Sequence, residues 1–434
     1  MLKPLLLHFG ATVVKGTIPT GPILIRGARQ LLTLRGPNTT RCGPDANELN
    51  IIADGSLLIR DGVLKQIGPT RRVENLKEAR MAVEINASGK VVMPCFVDCH
   101  THLAYPPPRV PEEERAEATR VLIAATGKRT AARWRVHLEA MARHGTTTAE
   151  INTGAGPDAL ADFKLLRMLS KLKGGPLDIV TTFLFRLPSA EVCGETECDQ
   201  FTDLVCRELL PKIRQRKLAR FAEVAWSPGA AHHSLFQRFL SAAGELGFPC
   251  KMHADQYQAA AAIAMALQYK AVSISHLEQA TCSEASMLAG CGTIATLLPC
   301  ASFYTAAGNA PARALVDAGV PIALGSNFHP KYSPTLNMQT VVALACLRLG
   351  LTPAEAITGA TINGAHAVGC ADRTGSLEPG KSADLAILNV SDYRDLANHF
   401  GTNLVHTTMK GGAVIYREGE VGVRSGLRDA PVLH

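Results

Sequence analysis

The sequence predicts an α/β chain: a (β/α)8 TIM-type barrel, with a small β-sandwich domain formed by the N- and C-terminal segments. Three observations predict it. Strand-like and helix-like segments alternate strictly through the middle of the 434-residue chain, both ends change to hairpin texture, and histidines stand where several central strands end. Strict alternation implies parallel strands joined by crossovers, and eight such units close naturally into a barrel. The expected boundaries are 1–90 for the first part of the sandwich, 91–370 for the barrel and 371–434 for the second part of the sandwich.

Residues 23–85 alternate short apolar runs with turn residues. Asp61-Gly62 stands between two strand-like pieces, a tight-hairpin signal because the turn needs positive φ. Strands are then read at 91–102, 145–151, 178–184, 221–226, 249–253, 271–276, 293–298 and 321–327. The helices between them are read at 115–144, 158–173, 198–218, 234–246, 259–267, 282–289 and 311–318. A further helix is expected over 351–368, opened by the capping-box pattern Thr352-Pro353-Ala354-Glu355. The tail returns to hairpins, with Gly411-Gly412 inside the last, and chain ends often meet in one domain.

Composition narrows the function. Apolar content of 47% and charged content of 19% describe a packed protein. The net charge of +7 is small for the length and no Lys or Arg run gathers it, which argues against nucleic acid or a membrane surface as partner. A mildly positive field favours an anionic substrate. The twelve cysteines include no Cys-x-x-Cys pair, and Cys95, Cys250 and Cys346 lie in apolar runs where a thiol packs as a small hydrophobe. A reducing compartment is expected. With no sustained signal-peptide core and no apolar run of about 18 residues, the expected location is the cytoplasm.

The chemistry is carried by Val91-Val92-Met93-Pro94-Cys95-Phe96-Val97-Asp98-Cys99-His100-Thr101-His102. Residues two apart in an extended chain share a side, so His100 and His102 face one point in space. Neutral imidazole is the commonest metal ligand, although a lone His-x-His is more often two ordinary histidines after a strand. The company decides it. His253 ends another strand, His276 the next and Asn327 the last, and barrel enzymes place their chemistry at strand ends. A catalytic metal takes three protein ligands and leaves room for water.

At this point the chain resembles the amidohydrolase superfamily, and within it the imidazolonepropionase subgroup, which hydrolytically opens imidazolone propionate. The resemblance rests on Met93-Pro94-x-Phe96-Val97-Asp98-x-His100-Thr101-His102-Leu103, Gly145-Thr146-Thr147, Thr181-Thr182-Phe183-Leu184, Lys251-Met252-His253-Ala254-Asp255-Gln256, Ser275-His276-Leu277-Glu278 and Gly375-Ser376-Leu377-Glu378-x-Gly380-Lys381-x-Ala383-Asp384-Leu385. It implies one divalent ion, zinc or iron, held by His100, His102, His253 and the residue at 327. It implies that His276 polarises the carbonyl, that Asp255 orients water or substrate, that Gln256 contacts substrate and that Arg109 clamps a carboxylate. Arg109 is otherwise an ordinary loop arginine beside Glu112 to Glu114. One ion rather than two is expected, because Asn152 stands near where a bridging Lys or Glu would be. Similar proteins are commonly homodimers.

The departures carry information of their own. Where the family has an aspartate that binds metal and takes the proton from water, this chain has Asn327, whose amide can ligate but has no useful basicity. Three readings stay open: an Asp-to-Asn form made inactive to trap a ligand, a natural enzyme using Asp255, His276 or His329 as base, and a non-catalytic ligand-binding relative. The first is preferred, since the rest of the site is maintained. The family's Asn-Pro-Gly-Thr is His329-Pro330-Lys331-Tyr332 here, its Ser-Gly-Tyr-Gly is Thr153-Gly154-Ala155-Gly156, and its Gly-Ala-His is Phe185-Arg186-Leu187. These changes fall on substrate contacts, so Arg186, His329, Lys331 and Tyr332 join Arg109 and Gln256 as candidate substrate-binding residues. The expected substrate is a five-membered cyclic amide or ureide bearing a carboxylate, such as an imidazolone, hydantoin or thiohydantoin propionate. Deamination of an aminated heterocycle is the alternative reaction.

Overall fold

The computed structural model describes residues 21–104, 127–153, 159–172, 174–187, 194–226, 230–254, 259–330 and 332–419. The N-terminal segment supplies β1 (Ile23–Leu32), β2 (Ile51–Arg60), β3 (Val63–Pro69), β4 (Val83–Asn86) and β5 (Val91–Pro94). The barrel strands are β6 (Phe96–Asp98), β7 (Thr146–Asn152), β8 (Asp178–Phe185), β9 (Phe221–Ala225), β10 (Cys250–His253), β11 (Ser273–Ser275), β12 (Ile294–Leu297) and β13 (Ile322–Leu324). The tail adds β14 (Leu385–Leu388), β15 (Val405–Lys410) and β16 (Ala413–Arg417).

The two chain ends form one hydrogen-bonded sheet in the order β16-β15-β14-β5-β1-β2-β3, with β4 also pairing β1. β1 has partners enough for three because its register breaks between Ile25 and Ala28, so β4 pairs with its first half and β5 with its second. Gly27 sits in that bulge at φ 74°, and its N–H donates to Ser56 Oγ at 3.0 Å instead of to the ladder. Apolar side chains of both chain ends, among them Ile23, Leu57, Val92, Leu385 and Met409, make the core of this domain. Both predicted tight turns are present, Asp61-Gly62 and Gly411-Gly412, each with positive φ at both central residues. They pack on each other, and a Cβ on Gly62 would lie 2.8 Å from the Gly411 carbonyl oxygen.

The barrel sheet runs β13-β12-β11-β10-β9-β8-β7-β6 with every pairing parallel. Its last seam, β13 to β6, closes just beyond the strand ends. Thr101 bridges Phe328, Asn327 N–H donates to the His100 carbonyl at 2.9 Å, and His102 N–H donates to the Phe328 carbonyl at 2.8 Å. Below that, the Asp98 carboxylate accepts from Ser326 twice, from N–H at 2.9 Å and from Oγ at 2.6 Å. The closure therefore sets His100, His102 and Asn327 side by side.

Three elements differ from expectation. The run 91–102 is two strands: β5 pairs β14 in the terminal sheet, and after Pro94 and Cys95 the chain enters the barrel as β6. The helix over 351–368 is broken at Thr361, whose φ of −127° and ψ of −92° leave Pro353–Ala360 and Ile362–Ala367 as separate helices. The helix over 198–218 begins at Glu195 and contains a π-turn, Val205–Leu209, ahead of Pro211, which has no N–H to continue an α-helical ladder. Among the described residues no helix is long and apolar enough to cross a membrane.

Helix Gly127–Arg143 lies against this seam through His137, whose ring meets Phe328 edge-on at 5.0 Å. Burial, helped by the Arg133 charge, pushes His137 down to about 4, and burial lowers His144 as well. A depressed imidazole is neutral in the fold, so its stability is present above the ordinary histidine pKa and is lost as pH falls toward the folded value. Thermal melts from pH 7 to pH 4.5 should show His137→Gln losing less stability on acidification than the parent, by on the order of 2 kcal/mol. Parallel pH profiles for the two proteins would remove His137 as the cause.

Candidate metal centre

Each ligand candidate is placed by a strand end. His100 and His102 follow β6, His253 ends β10, and one ring nitrogen from each of these three lies within 4.8 Å of the others. Their ring centroids are 5.0 Å apart for His100 and His102, 5.3 Å for His100 and His253, and 5.8 Å for His102 and His253. His276, one residue past β11, lies 4.3 Å from the His253 ring, and His329 lies 5.9 Å from that of His102. Histidines at the ends of separate strands converge because parallel strands in a barrel all end on one rim.

The donor set fits a divalent cation. Burial holds His100, His102 and His253 well below the ordinary imidazole range, so each ring is neutral and has a lone pair to give. His100 Nε2, His253 Nδ1 and Asn327 Oδ1 are buried with no hydrogen-bond partner among the described residues, which is costly unless something else uses them. His276 at φ 60° and Asn327 at φ 49° both take the left-handed conformation, a strained backbone for His and a tolerated one for Asn.

Beyond the imidazoles, Arg186 follows the end of β8, exposed, and its charge helps depress His102 and His253. The Tyr332 ring lies 4.7 Å from that of His329, tilted by 39°, and the Tyr332 N–H donates to His329 Nδ1 at 3.4 Å, so it supports that ring. His276 Nδ1 lies 3.3 Å from the Glu278 carboxylate, which also accepts from Ser302 Oγ at 3.3 Å. Burial pushes Glu278 up, but the His276 and Ser302 contacts outweigh it and leave the carboxyl below its ordinary value. Arg109, Asp255, Gln256 and Lys331 lie outside the described residues.

Sequence reasoning missed the polar layer beneath the rim. Lys251 Nζ donates to Glu150 Oε1 at 2.7 Å, and Thr182 Oγ1 donates to the same oxygen. Asn152 Nδ2 donates to Glu223 Oε2 at 2.9 Å. Burial raises Glu150, against the pull of Lys251, while burial and the like charge of Glu150 raise Glu223 to about 8. Asp98 reaches about 6, its burial outweighing the Ser326 hydrogen bonds. The signal was available: Asp98, Glu150 and Lys251 each sit two residues before His100, Asn152 and His253, on the same inward face.

A model of the amidohydrolase family matches residues 91–415. This chain belongs to the amidohydrolase family. Among members of known sequence, the imidazolonepropionase of Brevibacillus brevis is 35% identical over 429 residues, covering 93% of this chain and 100% of the relative. That of Geobacillus kaustophilus is 36% identical, covering 92% and 99%. Solved structures share the fold: a triazine hydrolase variant at TM-score 0.71 and 19% identity, covering 92% of this chain and 95% of that one, and E. coli guanine deaminase at 0.68 and 17%, covering 92% and 99%. The amidohydrolase barrel, the sheet made by both chain ends and the imidazolonepropionase likeness expected from sequence are all present.

If the three imidazoles form a cation site, removing one ring should remove its affinity for a divalent metal. His253→Ala is expected to bind less than about a tenth of the zinc the parent retains after dialysis, measured by elemental analysis, because a three-ligand site loses one of its donors. Equal zinc in both proteins would sink the assignment.

Proposed function

We propose that this amidohydrolase opens a five-membered cyclic amide or ureide bearing a carboxylate, in the class of imidazolone, hydantoin and thiohydantoin propionates, with one zinc or iron ion. The observation that carries the reading is the convergence of three neutral imidazoles and the orphaned Asn327 amide oxygen at one barrel rim. Imidazolonepropionases at about 35% identity over the chain support the substrate class. The described cysteines are all free thiols, which supports a cytoplasmic location. A homodimer is the assembly we propose.

His100, His102, His253 and Asn327 Oδ1 would hold the ion, which when bound supplies the Lewis acidity that makes water nucleophilic near neutral pH. Asn327 cannot take the proton. His276 is the residue arranged to do so, because Glu278 faces its Nδ1 and leaves Nε2 to exchange a proton with water and the leaving nitrogen. This geometry favours the natural enzyme among the three readings of Asn327. Arg186, exposed beside the imidazoles, would receive the substrate carboxylate in its planar fork, with Arg109 as a second anchor. The roles of Asp255, Gln256, His329, Lys331 and Tyr332 as substrate contacts are part of the same proposal.

The test is ring opening followed by ultraviolet absorbance with metal supplied. Asn327→Asp should raise turnover roughly 10²- to 10⁴-fold by restoring a carboxylate base, and His276→Asn should lower the parent's turnover by a similar factor. Unchanged turnover in His276→Asn would remove its proton role, and ammonia release without ring opening would make the enzyme a deaminase. Arg186→Ala should raise KM for the carboxylate substrate roughly tenfold, about 1.4 kcal/mol, with little change for an uncharged analogue. An equal effect on both substrates would place the anion elsewhere.

A further inference from the structure

At the end of the barrel opposite the histidine rim, the loop between β1 and β2 packs on helix Ile362–Ala367. The Asn363 side chain accepts from the Arg41 N–H at 2.8 Å and donates to the Arg41 carbonyl at 2.8 Å. It also donates, at 2.8 Å, to the carbonyl of Ile322, the first residue of β13. One turn further along the helix, the His366 ring donates to the Thr39 carbonyl. The loop is thus fixed to this helix at Thr39 and again at Arg41.

Arg41 is 7% exposed, yet among the described residues its guanidinium has no hydrogen-bond acceptor and no carboxylate within salt-bridge distance. Buried arginines are ordinarily paired, because an uncompensated charge is costly to desolvate. Gly36 lets the loop close over it, and a Cβ there would stand 2.5 Å from Arg41 Nη2. The Arg41 charge acts on both His366 and Lys381, so the guanidinium lies close to both. Lys381 is already satisfied: its Nζ donates to the Ala371 carbonyl at 2.7 Å and to Ser376 Oγ at 2.6 Å, and lies 3.5 Å from Glu378. His366 Nε2 is different, being buried with no partner. Burial and the two nearby cations hold this ring below the ordinary imidazole range, and its one proton is given to Thr39, so Nε2 presents a lone pair.

A cation without an acceptor thus stands close to an acceptor without a donor. The ligand that answers both is an oxyanion that still carries a proton. We propose that Arg41 and His366 form a site for a hydrogen phosphate ion, whose oxygens take the guanidinium fork and whose O–H donates to His366 Nε2. Sulfate matches it in shape but has no proton to give near neutral pH, so this site prefers phosphate. Bound there, the ion ties the loop to the foot of the barrel. The site is remote from the rim and independent of the metal reading.

The test is calorimetric titration of the full chain with inorganic phosphate near neutral pH. Metal is first removed by dialysis against a chelator, so that no ion at the rim can take the phosphate. The parent should bind phosphate and gain in Tm with it, and should bind sulfate at least roughly tenfold more weakly, since a site built to hydrogen-bond an O–H rejects an analogue without one. Arg41→Gln should weaken phosphate roughly tenfold or more. Lys65→Gln, which removes an equal charge from the exposed side of β3, should leave the affinity unchanged. No phosphate binding by the parent, or equal binding by Arg41→Gln, would overturn the proposal. Equal affinity for sulfate and phosphate would overturn it too, because His366 would then accept nothing. If Arg41→Gln does not fold, His366→Phe decides: phosphate falling to the affinity of sulfate supports the site, and an unchanged preference for phosphate overturns it.

Discussion

The structure depends on one seam. Seven of the barrel's strand junctions are ordinary parallel ladders, but the last, between β13 and β6, is made by the residues just past the strands and by Asp98 gripping Ser326. Asp98 is two residues before His100 and Ser326 one before Asn327. Closing the barrel and bringing His100, His102 and Asn327 together are therefore the same event. A buried carboxylate with two short hydrogen bonds is costly to desolvate, and its retention here makes sense because it specifies register as well as stability.

Above the seam the site is neutral and below it charged. Burial strips the proton from the rim imidazoles, leaving lone pairs for a cation. One layer down, Lys251 pairs with Glu150, while burial and the charge of Glu150 raise Glu223 to about 8. That arrangement sets polar protein groups in fixed orientation, instead of water, beneath the imidazoles. The strained backbone at His276 adds to this preorganisation, and Glu278 faces its ring from behind.

Much of this was legible in advance. Period-two reasoning paired His100 with His102, and alternation of strand and helix placed His253, His276 and Asn327 at strand ends, where parallel geometry makes them meet. The Asp61-Gly62 and Gly411-Gly412 turns were readable because positive φ at both positions leaves few residue choices. The break after Pro94 was not readable: 91–97 is apolar throughout, and nothing local says that its first half pairs β14, almost 300 residues away in sequence. Nor was the split at Thr361, which is a matter of how two short helices pack on β13 and β6.

By itself the sequence determined the barrel, the two-ended β-domain, the family and the histidines that meet at one rim, because periodicity and strand-end position are local properties that the backbone imposes. Only the tertiary structure decided which buried groups lie beneath them. Glu150 and Asn152 come from β7, Glu223 from β9 and Lys251 from β10, and by type each could have been an ordinary surface residue. What fixes their role is the closed barrel interior, where a charge must find a partner within hydrogen-bonding reach or not be there at all.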